Sequence, residues 1–148
     1  MDLNFLPSLN SRQLAIDLGT ANTLVYAPGE GIVVDEPSVI AVETVNGLDQ
    51  IRAVGTDAKL LIGRTGDNIR TLRPLSAGVI KDLEFAEKLI RHFLGQALGG
   101  RPLLSRGPEL VIGIPSASTE VERRIVHAAA VNAGAREVCL IEEPLAAA

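Results

Sequence analysis

Hydrophobic and polar positions alternate in short runs over the first half of the chain. Apolar or β-branched runs at Leu14–Leu18, Thr23–Ala27 and Ile32–Val34 are separated by glycine-containing loops. Runs of this length and residue type, with turn residues between them, are typical of β-strands. The sequence therefore predicts an opening meander, and its first two strands form a β-hairpin.

A second group of short elements follows the meander. A β-rich run at Ser38–Val45 precedes the strong turn signal Asn46-Gly47, and Gln50–Val54 is the expected partner strand. The segment Thr56–Ile62 predicts a short helix. Because residues 35–76 also contain most of the scattered Gly, Asn and Asp, they are predicted to form a small inserted subdomain.

The spacing between apolar positions changes from two residues to three or four residues after Asp82. The segment from Leu83 to Ala97 has apolar residues at this spacing with charged residues between them, which predicts an amphipathic helix that ends at Gly99-Gly100. The continuous apolar run Leu110–Ile114 is typical of a central strand.

The remaining pattern predicts a parallel pair of strands. Thr119 and Glu122 have the T-x-x-E spacing of a capping box, so a helix is expected from there to Asn132. The run Glu137–Ile141 is the next strand, and the order strand, helix, strand favours a right-handed crossover. Pro144 suits the first turn of a further helix.

Composition supports an α/β fold and excludes some functions. The 148 residues are 47% hydrophobic, 22% charged and 3% aromatic, so the core consists of Ile, Val, Leu and Ala, as in parallel strands covered by helices. The net charge of −4, without a basic stripe, argues against nucleic acid as a partner. No apolar stretch has the length of a membrane span, which favours a cytoplasmic location.

Two local patterns lead to more ordinary predictions. Cys139 lies in an apolar run and is expected to be a small buried strand residue. The pair Asp35-Glu36, which precedes Pro37, is expected to form a turn and not a metal site, since two carboxylates alone seldom hold a cation.

The segment from Asp17 to Thr23 is the clearest candidate for chemistry. Small residues in a hairpin loop let backbone N–H groups approach a phosphate closely, and Gly19, Thr20, Ala21 and Asn22 meet that need. Asp17 would project towards a Mg²⁺ at the phosphate oxygens and contact it through water. The alternative is a plain hairpin turn with an aspartate at the strand end.

Glu143 is the second candidate. Asp17 and Glu143 end different predicted strands, so both carboxylates face one crevice if the two strands share a sheet. The following proline restricts Glu143 to an extended backbone and fixes its direction. Such a glutamate can orient or deprotonate an attacking water. The alternative is a solvent-facing acid stabilised by the dipole of a helix N-terminus.

Longer segments resemble the MreB family of bacterial rod-shape-determining proteins. They occur in family order and cover nearly all of residues 12 to 148: IDLGTANTLVY, GIVVDEPSVIAV, AVGTDAKLLIGRTGDNI, RPLSAGVIKD, VERRIVHAAAVNAGAREV and IEEPLAAA. The resemblance implies the first half of an actin-like, sugar-kinase-type ATPase fold. Residues 1–34 and 77–148 then correspond to subdomain IA, and residues 35–76 to subdomain IB.

The resemblance also implies ATP and Mg²⁺ as cofactors. Thr20, Ala21 and Asn22 match the first phosphate loop of the family and Asp17 its metal-side acid. Glu143 matches the glutamate that polarises the hydrolytic water.

Family members polymerise into filaments beneath the inner membrane and help to organise wall synthesis. The resemblance therefore implies a peripheral location at the cytoplasmic face of that membrane. Two apolar features fit membrane contact: the segment with Phe5 and Leu6, and the pair Leu103-Leu104. The alternative for Leu103-Leu104 is a pair of residues that covers the core beside a helix end.

The family's second phosphate loop and its adenine-binding glycines have no counterpart in the sequence. We therefore expect the chain by itself to hold an incomplete nucleotide site and to be inactive as an ATPase. Two alternatives remain open. One is another ATPase of the same fold, such as a chaperone or a sugar kinase, and the other is a non-catalytic fragment that acts only by association.

Overall fold

The computed structural model describes residues 12–64, 66–99 and 107–143. These residues form ten strands and three helices. The strands are β1 (Gln13–Leu18), β2 (Asn22–Ala27), β3 (Gly31–Pro37), β4 (Ile40–Val45), β5 (Leu48–Val54), β6 (Ile69–Leu72), β7 (Leu75–Ser76), β8 (Val79–Ile80), β9 (Glu109–Ile114) and β10 (Glu137–Glu142). The helices are α1 (Thr56–Leu60), α2 (Leu83–Ala97) and α3 (Glu120–Asn132).

A mixed sheet of five strands is the centre of the fold. Its order is β10-β9-β1-β2-β3. Strands β1, β2 and β3 are antiparallel neighbours, whereas β9 lies parallel to both β1 and β10. This confirms the predicted hairpin and the predicted parallel pairing of the strands before and after α3. The α/β class predicted from the sequence is therefore correct.

Helices α2 and α3 cover one face of this sheet. Alternate residues of the central strands, such as Leu14, Ile16 and Leu18 of β1, are buried beneath them. The alternation follows from the period of two in a strand, which directs every second side chain to the same face. Phe93 of α2 and Ala129 of α3 are fully buried in the same core.

Both long helices begin at the residues that the sequence indicates. The Asp82 side chain accepts a hydrogen bond from the N–H of Phe85 at the start of α2. At α3, Glu122 N–H donates to the Thr119 hydroxyl and Thr119 N–H donates to the Glu122 carboxylate, so the capping box is complete. Each cap supplies a partner to N–H groups that the helix leaves free.

A second, smaller sheet has the order β5-β4-β6. Strands β4 and β5 form a hairpin at Asn46 and Gly47, whose φ angles of 53° and 77° are typical of a type I′ turn. Val39, Ala41 and Ala58 form a small core between this sheet and α1. The turn and the short helix agree with the sequence prediction, and α1 ends two residues earlier than expected.

The prediction that Asp35-Glu36 forms a turn is wrong. Both residues lie in β3, paired with Leu24 and Thr23 of β2. The Glu36 carboxylate accepts hydrogen bonds from Thr56 N–H (2.9 Å) and Gln96 Nε2 (2.8 Å). Strand pairing and these two distant donors outweigh the local tendency of acidic residues before proline to form a turn.

The prediction that Cys139 is buried is also wrong. Cys139 is exposed, because it lies on the face of β10 opposite to the helices. Tyr26, Ile32 and Val111 on the same face of the sheet are 47%, 62% and 38% exposed. We call this surface the open face. The apolar run of β10 indicates a strand with two apolar faces, and only one of them is covered by the described residues.

Some predictions fall on other parts of the chain. Phe5, Leu6 and the pair Leu103-Leu104 lie outside the described residues, as does the helix expected from Pro144. Among the helices of the described ranges, none combines the length and the apolar content that crossing a bilayer requires.

Candidate functional site

The predicted phosphate loop is the tight connection between β1 and β2. Leu18 pairs with Thr23, so Gly19 to Asn22 close the hairpin at the edge of the large sheet. A Cβ atom placed on Gly19 would lie 2.3 Å from the backbone oxygen of Asn22, and side chains essentially never approach a backbone atom so closely. Position 19 therefore requires glycine, while Thr20 and Ala21 are exposed at the loop tip.

Two buried hydroxyl groups lie beneath the loop. Thr23 and Ser38 are fully buried, and their oxygens are 2.9 Å apart. Ser38 Oγ also donates to the carbonyl of Gly19 at 2.7 Å, and Ser38 N–H donates to the carbonyl of Ala21 at 2.9 Å. The loop is thus bonded to the residue that follows β3.

The Asn22 side chain has a partner in β3. Its Nδ2 donates to Asp35 Oδ1 at 3.1 Å. An amide nitrogen has two N–H groups, so this contact fixes the side chain and leaves the second N–H for another acceptor. Asn22 is exposed, which makes that N–H accessible from solvent.

Asp17 and Glu143 line the same open cavity, as the sequence predicted they would if their strands shared a sheet. Strand β9 separates them: Gly113 pairs with Asp17 on one side and with Ile141 on the other. Glu143 follows Ile141 by two residues. The cavity has a volume of about 540 Å³, and its floor is the apolar surface of the open face, including Leu24 and Val111.

Gly113 leaves the space between the two carboxylates open. A Cβ at this position would lie 3.7 Å from Glu143 Cγ, which is an ordinary contact distance. A longer side chain on β9 would extend into the cavity between Asp17 and Glu143. The absence of a side chain here makes room for a ligand of several atoms.

The residues fit a phosphate group and a hard cation that arrives with it. Thr20, Ala21 and Asn22 are exposed, and the first two have small side chains, so a ligand can approach the loop backbone from solvent. Mg²⁺ prefers oxygen ligands and retains several waters. In the described part of the chain, no group of three or more metal-ligating side chains is present, so Asp17 would contact the ion together with phosphate oxygens and water.

Sequence reasoning did not identify Ser38 or Gly113 as parts of the site, and it gave Thr23 no role of its own within the segment from Asp17 to Thr23. Ser38 follows Pro37 and precedes an apolar run, which is a weak signal for a buried polar residue. Its contact with the loop depends on how β3 pairs with β2. Gly113 lies within an apolar strand, and a glycine at such a position often marks a close approach.

A protein-family model matches most of the chain. The family described as MreB/Mbl protein matches residues 11–148. The cell shape-determining protein MreB of Pasteurella multocida is 49% identical over 142 residues, which are 95% of this chain and 40% of that protein. The chain thus spans about two fifths of the length of the curated relatives that it matches.

Solved structures agree with the sequence comparison. The structure of MreB5 of Spiroplasma citri bound to ADP is 33% identical with a TM-score of 0.76, and the match covers 90% of this chain and 39% of that one. The double helical filament of MamK is 21% identical with a TM-score of 0.74, covering 92% of this chain and 42% of that one. The second likeness concerns the fold alone.

Proposed function

The chain belongs to the MreB/Mbl family, and from that premise we propose that it supplies the first phosphate loop and the hydrolytic glutamate of an ATP site in an actin-like filament protein. Gly19, Thr20, Ala21 and Asn22 contact the phosphates in this proposal. Asp17 contacts the Mg²⁺ ion through water. The observation that carries the proposal is the shared cavity of Asp17 and Glu143, which is lined by Asp17 and Leu24 from the two strands that the hairpin loop connects.

Each group has a separate task. Backbone N–H groups and the free Asn22 N–H bind phosphate oxygens, and Asp17 orients the water shell of the cation. Glu143 orients the water that attacks the terminal phosphate, or accepts a proton from it. When bound, Mg²⁺ neutralises charge that develops on the phosphate oxygens. The structures of MreB5 bound to ADP and to AMPPNP support nucleotide as the ligand class.

Two subdomains are part of the same proposal. The large sheet with α2 and α3 corresponds to subdomain IA, and the small sheet with α1 to subdomain IB. Strand β3 extends to Pro37, so we place the first boundary at Ser38, where the chain passes from one sheet to the other. The site then lies on the larger unit, next to this crossing.

Phosphate binding can be tested on the 148-residue chain by NMR. We expect Mg-ATP to shift the amide signals of Gly19 to Asn22, with weak affinity because the contacts come from a single loop. Tripolyphosphate with Mg²⁺ should shift the same signals, and adenosine should not. Unchanged loop signals at millimolar Mg-ATP would contradict the proposal.

The chain spans 40% of its Pasteurella multocida relative, so we propose to test hydrolysis and filament formation in a chimera. Residues 11–148 would replace the matching segment of the Pasteurella multocida relative. We expect this chimera to release phosphate and to form filaments in Mg-ATP. Glu143→Gln should lower phosphate release on the order of 100-fold while ATP binding persists. Equal turnover in both proteins would exclude Glu143 as the hydrolytic residue.

A membrane location is the remaining part of the proposal. Phe5, Leu6, Leu103 and Leu104 are the proposed apolar contacts with the cytoplasmic face of the inner membrane, where wall-synthesis proteins would be the partners. Co-sedimentation with anionic vesicles tests this in a chimera that also carries residues 1–10 of this chain, and Phe5→Ser with Leu6→Ser should abolish it. Vesicle binding that is unaffected by these changes would assign the contact to other residues.

The alternatives receive less support. The match to the MreB/Mbl family over residues 11–148 disfavours a chaperone or a sugar kinase. A fragment that acts only by association with filaments predicts no response of the loop amides to phosphate. The NMR titration therefore decides between that alternative and nucleotide binding.

A further inference from the structure

Ser38 makes three hydrogen bonds to the hairpin that contains the loop. Its hydroxyl donates to Gly19 O, its N–H donates to Ala21 O, and it shares a hydrogen bond with the Thr23 hydroxyl. A hydroxyl has one proton. Since Ser38 uses its proton for Gly19, the hydrogen bond between the two hydroxyls must run from Thr23 to Ser38. The direction of the network is thereby fixed.

This network determines which way the loop peptides face. In a trans peptide unit the C=O and the N–H point in opposite directions, and the described residues contain no cis peptide bond. Because the Gly19 carbonyl points towards buried Ser38, the N–H of Thr20 points away from it. The Ala21 carbonyl also points to Ser38, so the N–H of Asn22 points away as well.

The backbone around Ser38 is itself held on both sides. Pro37 ends β3, which is paired with β2, and Val39 O accepts a hydrogen bond from Gly55 N–H at 2.8 Å. Val39 and Ile40 are fully buried, as Ser38 is. The serine therefore has a fixed position from which to orient the loop.

We infer that Ser38 is a positioning residue of the phosphate loop, which turns the Thr20 and Asn22 N–H groups away from the buried serine as donors for phosphate oxygens. It does not contact the ligand itself. The inference rests on the proposed function, since it names the residue that holds that loop in a binding conformation. Thr23 has a different part, because it supports Ser38 and makes no side-chain bond to the loop carbonyls.

The test compares Ser38→Ala with Thr23→Val. Both changes remove a hydroxyl from the same buried pair, but only Ser38→Ala releases the Gly19 carbonyl. Without nucleotide, we expect Ser38→Ala to shift or broaden the amide signals of Gly19 to Asn22, and Thr23→Val to leave them near their original positions. If Ser38→Ala does not fold, Ser38→Cys, with a weak donor of similar size, takes its place.

A second measurement relates the loop to phosphate. We expect the apparent dissociation constant for Mg-tripolyphosphate to rise on the order of tenfold in Ser38→Ala and by less than about twofold in Thr23→Val. Unfolding in urea is measured for both variants. If both lose the same free energy of unfolding but only Ser38→Ala changes the loop amide signals, the effect on the loop is due to positioning by Ser38 and not to a general loss of stability.

The outcomes separate this inference from the proposed function. Loop amides that stay unchanged in Ser38→Ala, or that change equally in Thr23→Val, would overturn the positioning role. Loop amides that change in Ser38→Ala without nucleotide support it, even if the original chain does not respond to phosphate. In that last case only the proposed ligand is wrong.

Discussion

Asp17 and Glu143 lie on opposite sides of Gly113, one on β1 and the other directly after β10, and they line one cavity. The position between them in β9 has no side chain, so the space between the two carboxylates is open.

Gly113→Val should fill the space between the two carboxylates, because a branched side chain there extends into the cavity. Mn²⁺ added with ATP should broaden the NMR signals near Asp17 in the original chain and much less in the variant. Gly113→Ala is the matched control, since its Cβ meets Glu143 Cγ at an ordinary 3.7 Å. Equal broadening in Gly113→Val would place the cation elsewhere.

Gly19→Ala should destabilise the chain by about 2 kcal/mol, because the added carbon atom collides with the backbone of Asn22 and the loop must shift. Gly95→Ala is a suitable comparison, since Gly95 lies within α2 and an added Cβ meets nothing within 4 Å. Alanine there should stabilise the chain by up to about 1 kcal/mol. Urea unfolding of both variants measures the two effects, and opposite signs are expected.

Thr119→Ala should lower the free energy of unfolding by about 1 kcal/mol, because the Glu122 N–H loses its acceptor at the start of α3. Glu122→Gln keeps an oxygen that can accept from Thr119 N–H, so its effect should be smaller. Both are measured by urea unfolding. A larger loss for Glu122→Gln would show that charge near the helix start matters more than the hydrogen bonds.

The Asp49 carboxyl should titrate at higher pH in Arg70→Gln. In the folded chain its pKa is lowered, first by the hydrogen bond from Arg70 and then by that from Thr44. A carboxyl group whose pKa is lower in the folded than in the unfolded state stabilises the fold at pH values above its unfolded-state pKa. This contribution is lost as the pH falls through the folded-state pKa. NMR titration measures the pKa. Unfolding between pH 6 and pH 3 should show a steeper loss in the original chain.

Cys139 should react with a thiol reagent in the folded chain, because the open face leaves it exposed. It is the only cysteine of the sequence, so a colour-forming disulfide reagent reports on this position alone. We expect complete reaction without denaturant. A thiol that reacts only after urea is added would mean that another surface covers β10 in solution.

Local sequence signals were sufficient for much of the fold. The turn at Asn46-Gly47, the Asp82 helix start and the capping box at Thr119 each depend on residues close together in sequence, and all three were found as predicted. These three features require no knowledge of distant contacts. A common crevice for Asp17 and Glu143 was predicted only on the condition that their strands share one sheet, and the sheet order β10-β9-β1 meets that condition.

Distant contacts decided the rest. Glu36 lies in a strand because β2 pairs with it and because Thr56 and Gln96 donate to its carboxylate. Ser38 has its role only because the hairpin loop folds over it. Whether Cys139 is covered depends on what packs against the second face of the sheet. A pattern read along one strand cannot supply this information.

The place of β1 in the middle of the sheet also affects how the chain folds. Gln13 pairs with Glu109, so one side of β1 has no partner until a strand almost a hundred residues later has been made. At a synthesis rate of about 5 to 20 residues per second, that side waits for roughly 5 to 20 seconds on the ribosome. The hairpin of β1 and β2 can form at once, whereas closure of the parallel half is a late, long-range step that we expect to limit the folding rate.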